Sequence, residues 1–298
     1  MYYKSFVEAP DHLSGHIAIL YANDEKMIAV VAKLLKETKA RITLYNLEDT
    51  TAFIQSFGLT SEQMSRLNLR VYEDENAMFT ACAQELEMGK ADVLMKGNMM
   101  SSAILSFILK NKSFLQDTKF LNHIACFDIP NYHKMLMISD VALNITPTVD
   151  EKIKMIGNIA QFSQKLGYDT LNIAMLSSVE KVTEQLQSSV DAAAVVAHFE
   201  SQASTSLHVD GPFAFDNVIS KESALQKNIT SEVAGDADVI IVPQIDTGNV
   251  LYKSLTYLAG AHVASLILGA KFPIVLTSRA DKIENKFDSA LLALRMIQ

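Results

Sequence analysis

The sequence predicts an α/β protein in which parallel β-strands are covered by helices. Short apolar runs alternate with segments whose apolar residues recur at the spacing of one helix face. The apolar runs are continuous rather than alternating, which is typical of parallel strands buried on both sides. The length of 298 residues corresponds to about two domains.

The first part of the chain repeats this strand–helix pattern. The first helical segment, for example, has its apolar residues three and four positions apart. We predict strands at 17–22, 41–46, 69–73 and 91–96, and helices at 25–37, from Thr50 onward, at 76–89 and at 101–109.

A less regular stretch lies in the middle of the chain. Two strand-like runs, 119–129 and 134–145, are joined by Pro-Asn-Tyr-His at 130–133, which predicts an antiparallel hairpin or insertion. The alternation then resumes. We predict helices at 150–166, about 191–199, 216–227 and 249–268, strands at 170–176, 207–211, 237–243 and 272–278, and a last helix that ends at Met296.

Charge and composition restrict the partners. The net charge of −8 argues against a protein that binds duplex nucleic acid, although a cleft can still concentrate a few cations for a small anion. The apolar runs are too short to span a membrane, and the first residues lack a signal-peptide pattern. Cys82 and Cys126 lie on different predicted elements. We therefore expect a reduced, cytoplasmic protein without nucleic-acid or membrane partners.

Several common catalytic motifs are absent from the sequence. It contains no G-x-G-x-x-G, no G-x-x-x-x-G-K-[ST], no H-E-x-x-H, no G-x-S-x-G and no C-x-x-C. This lowers the expectation of a Rossmann dehydrogenase, a P-loop enzyme, a zincin or a serine hydrolase of the usual kind.

Polar residues that directly follow predicted strands are the candidates for a site. Ligands of open α/β sheets bind outside the carboxyl ends of the strands. Every α/β protein has some polar residues there, so a single one is weak evidence for a site. Several of them are more informative, because they can converge on one crevice. These segments are Lys96–Asn98, Asp140, Ser177–Ser178, Asp210–Pro212, Gln244–Asn249 and Thr277–Asp281.

Arg279 is the strongest single candidate. An arginine at a strand end can direct its planar fork at phosphate or carboxylate, or form a surface ion pair. Ser278 can donate a hydrogen bond to a developing anion or cap the last helix. Asp281 and Glu284 are candidates for the general base. The alternative is that each is an acidic residue that stabilises the N-terminus of the last helix.

Weaker candidates lie elsewhere along the chain. Lys96 and Gly97 open a loop before a helix, where an anion can approach the helix N-terminus, or they form a plain turn. Further candidates, each with an equally ordinary structural role, are Ser101, Ser102, Asp210, Gly248, Asn249 and Lys253. Together these residues suggest an α/β enzyme that binds an anionic, phosphorylated small molecule, and they leave the reaction open.

Several segments together resemble the phosphate acetyltransferase and phosphate butyryltransferase family. The resemblance covers most of the chain from about Ala91, whereas the earlier residues match only in pattern. The DGP, GNV-YK and LTSRAD segments favour the butyryltransferase branch. The matching segments are ADVLMKG, SDVALNITP, NIAMLSSVE, VDGPFAFDNVISKESA, VAGDADVIIVP, GNVLYKSLTY and PIVLTSRAD.

The resemblance implies a reversible reaction in which acyl-CoA and phosphate give acyl phosphate and CoA. It implies two α/β/α domains related to the isocitrate dehydrogenase class, 1–118 plus 270–298 and 119–269, with the site in a cleft between them. Arg279 would hold phosphate, and Ser278 would stabilise the sulfur or the oxyanion. CoA would be a substrate, no metal or redox cofactor is implied, and a homodimer or larger homo-oligomer is expected.

The sequence departs from the family pattern at two positions. Family members commonly carry an arginine where Ser106 stands, so one phosphate-binding cation is missing unless Lys96, Lys110 or Lys119 replaces it. The acetyltransferase branch has an acid where Asn285 stands. The general base therefore stays open, with Asp281 and Glu284 as candidates.

Three other interpretations remain beside a butyryltransferase. The nearest is phosphate acetyltransferase, because one methylene changes acyl preference by only about 1–3 kcal/mol. An NAD-dependent hydroxyacid dehydrogenase of related fold would need an acidic metal site and a nucleotide site, which the sequence does not show. A non-catalytic CoA-binding relative is suggested by Ser106.

Overall fold

The structure is a computed structural model that describes residues 3–202 and 205–298. In chain order its helices and strands are α1 (Lys4–Val7), β1 (His16–Leu20), α2 (Glu25–Glu37), β2 (Arg41–Asn46), α3 (Thr51–Ser56), α4 (Ser61–Ser65), β3 (Leu67–Val71), α5 (Glu75–Glu87), β4 (Val93–Lys96), α6 (Ser101–Lys110), β5 (Asn122–Asp128), β6 (Leu136–Ser139), α7 (Val149–Lys165), β7 (Leu171–Leu176), α8 (Gln187–Glu200), β8 (Leu207–Phe213), α9 (Phe215–Ile219), α10 (Lys221–Gln226), β9 (Val239–Ile241), α11 (Ile245–Tyr257), β10 (His262–Leu268), β11 (Ile274–Val275) and α12 (Ile283–Arg295). The predicted α/β class is confirmed.

The chain divides into two compact units. The first unit comprises Lys4–Lys119 and Ala264–Gln298, and the second comprises Tyr3 and Phe120–Val263. The sequence-based division at 118/119 and 269/270 differs mainly at the second crossing. Residues 264–269 belong with the first unit because β10 pairs antiparallel with β11 through Ile267 and Ile274.

In the first unit, the strand order β3-β2-β1-β4-β11 brings two distant parts of the chain together. All four pairs in this order are parallel. Leu20 at the end of β1 lies opposite Lys96 at the end of β4, and Val275 of β11 lies opposite Met95. The segments that follow β1, β4 and β11 therefore emerge at the same edge of the sheet.

The second unit has the order β5-β6-β9-β7-β8. The predicted hairpin is present, since β5 and β6 pair antiparallel, whereas the other pairs are parallel. Its core includes Phe127, whose ring packs edge-on against Tyr252 of α11 with the ring centroids 5.6 Å apart.

The predicted helix at 249–268 is wrong in its second half. α11 ends at Tyr257, and the chain then forms β10. Gly260 has φ +67°, in the left-handed region that favours glycine, and this breaks the helix. The following residues from Val263 to Ile267 are buried as a strand.

Two further predicted helices are each divided in two. After Thr50 the chain forms α3 and α4, because Gly58 has φ +59° and Thr60 starts α4 with a capping box to Gln63. The predicted helix 216–227 is divided into α9 and α10 at Ser220, whose side chain caps α10.

The strand predicted at 134–145 is shorter than expected. β6 ends at Ser139, and the carboxylate of Asp140 then accepts hydrogen bonds from the backbone amides of Ala142 and Leu143, both at 2.8 Å. These bonds turn the chain away from the sheet. Among the described residues, none of the helices combines the length and apolarity that crossing a membrane requires.

Candidate active site

The turn that follows β11 is closed by Ser278 and Asp281. The amide of Ser278 donates to Asp281 Oδ2 at 2.7 Å, and the amide of Asp281 donates to the Ser278 carbonyl at 3.1 Å. Lys26 of α2 donates to the carbonyl of Asp281 at 2.9 Å. The turn is thus fixed by hydrogen bonds on both of its ends, with the Asp281 carboxylate buried.

Arg279 is exposed in this turn, as is the neighbouring Ala280. Its Nη2 lies 3.3 Å from the sulfur of Met100, which precedes α6 and is itself exposed. A thioether is a weak acceptor, so most of the donor capacity of the guanidinium stays available for an anion.

Two lysines are buried near this turn. Lys96 and Lys286 are 1% and 2% exposed. Burial lowers the pKa of each to about 8. Buried lysines are unusual in a structural core unless their charge is paired.

The charges around the two lysines have a net positive balance. Lys96 is influenced by Arg279, which lowers its pKa, and by Asp281 and Asp24, which raise it. Lys286 is influenced by the same two carboxylates, by Lys96 and by Lys26. Four cations and two carboxylates therefore create a positive potential at this edge of the sheet.

Gly97 allows β4 to leave the sheet close to β1. A Cβ at Gly97 would lie 2.2 Å from the carbonyl oxygen of Tyr21, so no larger residue fits without a backbone shift. The amides of Gly97 and Asn98 donate to the carbonyls of Leu20 and Tyr21 at 2.8 and 2.7 Å. This packing, not only access for a ligand, explains the glycine.

Ser101 and Ser102 form the exposed first turn of α6. The residue before them, Met100, provides no side-chain cap, and its carbonyl accepts a hydrogen bond from the Ala103 amide at 3.1 Å. The amides of Ser101 and Ser102 are therefore open to an external acceptor. Lys110 lies at the other end of this ten-residue helix, about 14 Å from Ser101 along the helix axis. Among the three lysines considered as replacements for the family arginine, Lys96 is the one buried beside Arg279.

Glu284 and Asn285 lie in the first turn of α12. Glu284 is exposed, where an acid also favours the helix N-terminus. Asn285 is buried, and its carbonyl accepts a hydrogen bond from Ser289 Oγ at 2.7 Å. The roles of Asp281 and Glu284 as catalytic bases stay predictions.

The remaining predicted site residues belong to the second unit. The side chain of Asp210 accepts a hydrogen bond from the Gly211 amide at 2.7 Å. A Cβ at Gly248 would lie 2.2 Å from the carbonyl oxygen of Asp140, so this glycine lets α11 start close to the end of β6. Asn249 Nδ2 lies 3.4 Å from the Val141 carbonyl.

Lys253 and Asp140 have different surroundings within that unit. The Lys253 ammonium lies 4.8 Å from the centroid of the Tyr252 ring. The Asp140 carboxylate is 1% exposed and accepts four hydrogen bonds, including those from the His123 amide and the Asn144 side chain. Asp140 therefore shapes its own loop.

Lys286, Lys26 and Asp24 also belong to the charged cluster, although they are not among the site residues predicted from the sequence. Lys286 occupies a buried position of α12 next to Phe287, and a lysine at an apolar helix position is the signal that could have identified it. Asp24 is the N-cap of α2, where its side chain accepts a hydrogen bond from the Met27 amide at 2.8 Å.

The chain is similar to known proteins over most of its length. The family model described as Phosphate acetyl/butaryl transferase matches residues 71–294. A probable phosphate butyryltransferase from Bacillus subtilis (strain 168) is 35% identical over 96% of this chain and 95% of the relative. A phosphate acetyltransferase from Thermotoga maritima is 32% identical over 98% of this chain and 99% of the relative.

One solved structure is also similar to this chain over most of its length. The crystal structure of a branched-chain phosphotransacylase from Enterococcus faecalis V583 matches with a TM-score of 0.85 and 32% identity, over 95% of this chain and 99% of that one. The matched family region includes the turn after β11 and the start of α12.

Proposed function

We propose, since this chain belongs to the phosphate acetyltransferase and phosphate butyryltransferase family, that it is an enzyme that transfers a short acyl group between CoA and inorganic phosphate. The observation that carries this proposal is the positive cluster at the turn after β11. An exposed arginine fork stands beside two buried lysines, and this combination suits a small, multiply charged anion.

The roles of the cluster follow from the charges of the reaction. An oxygen of HPO₄²⁻ forms a bond to the thioester carbonyl carbon, the carbon–sulfur bond breaks, and the phosphate proton ends on the CoA sulfur. Arg279 binds the phosphate oxygens, and Lys96 supplies the second positive charge. Both charges offset the repulsion between phosphate and the developing oxyanion.

The hydroxyl of Ser278 and the start of α6 complete the proposed site. Ser278 is half-buried beside Arg279, where its hydroxyl can donate to the oxyanion or to the departing sulfur. Ser101, Ser102 and the open amides of the first turn of α6 add donors for phosphate oxygens. We assign Asp281 to the shape of the turn, because its Oδ2 already accepts the Ser278 amide.

The acyl group is a finer proposal. The relatives include a probable butyryltransferase, an acetyltransferase and a branched-chain phosphotransacylase. We propose butyryl-CoA as the preferred substrate, with acetyl-CoA as the alternative. The reaction uses CoA as a substrate and needs no redox cofactor.

We also propose that the chain forms a homodimer or a larger homo-oligomer in the cytoplasm. Val250, Tyr257 and Leu258, on and just after α11, expose apolar side chains, which supports association through this helix. Both cysteines are buried free thiols, which supports a reducing compartment. Light scattering at several protein concentrations tests the assembly.

A thiol-release assay tests the function. The folded protein is incubated with acetyl-, butyryl- or isobutyryl-CoA and phosphate, and the free thiol is measured. We expect release that depends on phosphate and is fastest with butyryl-CoA; fastest release with acetyl-CoA would favour the acetyltransferase. CoA binding without turnover would indicate a non-catalytic relative, and reduction of NAD with a hydroxy acid would indicate a dehydrogenase.

A further inference from the structure

Lys286 contacts the backbone of the proposed phosphate-binding turn from its buried side. Its Nζ donates to the Ser278 carbonyl at 2.7 Å and lies 3.3 Å from Thr277 Oγ1. The lysine is 2% exposed and stands in the first turn of α12. It therefore reaches the site through the backbone and not through the solvent-exposed surface.

The Ser278 carbonyl and the Arg279 amide belong to one peptide group. In a trans peptide the carbonyl and the N–H point in opposite directions. Because the carbonyl is directed at Lys286, the Arg279 N–H is directed away from the buried side. This N–H makes no hydrogen bond within the described part of the chain, so it is available to an external acceptor.

The bond to Lys286 also polarises this peptide. A cation at the carbonyl oxygen draws electron density from the amide and strengthens its N–H as a donor. The Ser278 amide on the other side is already held by Asp281 at 2.7 Å. Lys286 and Asp281 thus fix the two successive peptides that flank Ser278.

We propose that Lys286 is a positioning residue that directs the backbone N–H of Arg279 at the reacting phosphate or at the oxyanion. The inference rests on the proposed phosphate acyltransferase function and adds a backbone donor to the Arg279 side chain. Lys286 itself does not touch the substrate. Its contribution passes through the Ser278 carbonyl.

The test compares three variants with the wild type in the thiol-release assay. Lys286→Met removes the charge and the donor while keeping a long side chain, and Lys286→Arg keeps both. Lys282→Met is the matched control, because Lys282 is an exposed lysine next to the same helix. Circular dichroism and thermal unfolding establish that each variant is folded.

We expect Lys286→Met to lower kcat about 10- to 100-fold, with the KM for acyl-CoA changed less than about twofold. Lys286→Arg should recover a large part of kcat, and Lys282→Met should behave as the wild type. A folded Lys286→Met variant with wild-type kcat would overturn the inference. A wild type that releases no thiol would instead overturn the proposed function and, with it, this inference.

A crystal structure of the wild type with inorganic phosphate tests the same inference without any variant. We expect the Arg279 backbone nitrogen within hydrogen-bond distance of a phosphate oxygen, about 2.7–3.2 Å, with Lys286 still bound to the Ser278 carbonyl. Phosphate bound by the Arg279 side chain alone, with the backbone N–H directed elsewhere, would contradict the proposal. This measurement decides the question even if the Lys286 variants fail to fold.

Discussion

The carboxylate of Asp281 accepts the backbone amide of Ser278 at 2.7 Å, and this bond closes the turn on which Arg279 is exposed. The same carboxylate was a candidate for the general base. Its position indicates that it fixes the backbone of the turn. A general base and a residue that fixes the backbone lead to different expectations for substitution.

Substitution of Asp281 separates these roles. Asp281→Asn keeps an oxygen that accepts the Ser278 amide, so we expect it to retain a substantial part of kcat. Asp281→Ala removes the acceptor and should lower the free energy of unfolding by about 1–3 kcal/mol, as for a buried donor left without a partner. Urea denaturation and thiol release measure both effects. A folded Asp281→Asn variant that has lost all activity would favour the base.

Arg279 is expected to act in function and not in folding. Because the side chain is exposed, Arg279→Ala should change the free energy of unfolding by less than about 0.5 kcal/mol. Its kcat/KM for phosphate should fall by at least about 100-fold, since a charge-assisted fork is lost. Arg279→Lys should also be impaired, because a point charge cannot replace bidentate binding. Normal turnover by Arg279→Ala would make this arginine a bystander.

The buried charge of Lys96 is expected to lower the free energy of unfolding of the protein. Its pKa is lowered to about 8 in the folded protein, against about 10.4 in an unfolded chain. The unfolded state therefore binds more protons between these pH values, and stability rises with pH across that range. Below about pH 8 the full penalty is present, and a shift of this size corresponds to about 3 kcal/mol.

Lys96→Met removes that penalty. We expect the variant to unfold at higher urea concentration than the wild type at about pH 7, while its phosphate-dependent activity falls. The difference in stability should disappear above about pH 10.5, where the wild-type lysine is neutral in both states. A variant that is less stable at neutral pH would show that Lys96 holds the fold together.

Phosphate binding should depend on pH through the same lysines. Burial lowers the pKa of both Lys96 and Lys286 to about 8, so their positive charge is lost as the pH rises above that value. We expect the KM for phosphate to increase several-fold from about pH 7 to about pH 9. In Lys96→Met this increase should be smaller. A KM that is flat across this range in the wild type would contradict the role of these charges.

Gly97 tests the packing of the β4 exit against β1. Gly97→Ala places a Cβ 2.2 Å from the Tyr21 carbonyl oxygen, so we expect a loss of about 2 kcal/mol or more in the free energy of unfolding. Gly157 is the matched control, because it lies inside α7 and a Cβ added there would have no neighbouring atom within 4 Å. Gly157→Ala should be neutral or stabilising by up to about 1 kcal/mol. Equal stability of the two variants would contradict the packing argument.

The sequence allows much of the fold to be predicted because local patterns decide it. The continuous apolar strands and the helix at 25–37 are read directly from periodicity. The error at 249–268 arose because a short apolar run fits either a helix or a strand, and Gly260 marks a break that periodicity does not reveal. The splits at Gly58 and Ser220 are of the same local kind.

The site could be predicted only in part. Lys96 and Arg279 are recognised because each follows an apolar run, and the pairing of β4 with β11 then brings these segments together. Lys286 could not be assigned in this way, since its contact with the Ser278 carbonyl depends on how α12 packs under the turn. Long-range backbone contacts of this kind leave no local pattern in a sequence.

Phosphate-dependent thiol release by the wild-type protein tests the central claim most directly. With butyryl-CoA fixed, the initial rate is measured as the concentration of inorganic phosphate is raised. We expect a rate that saturates with phosphate and is close to zero in its absence. A folded protein that releases no thiol from acetyl-, butyryl- or isobutyryl-CoA at any phosphate concentration would contradict the account.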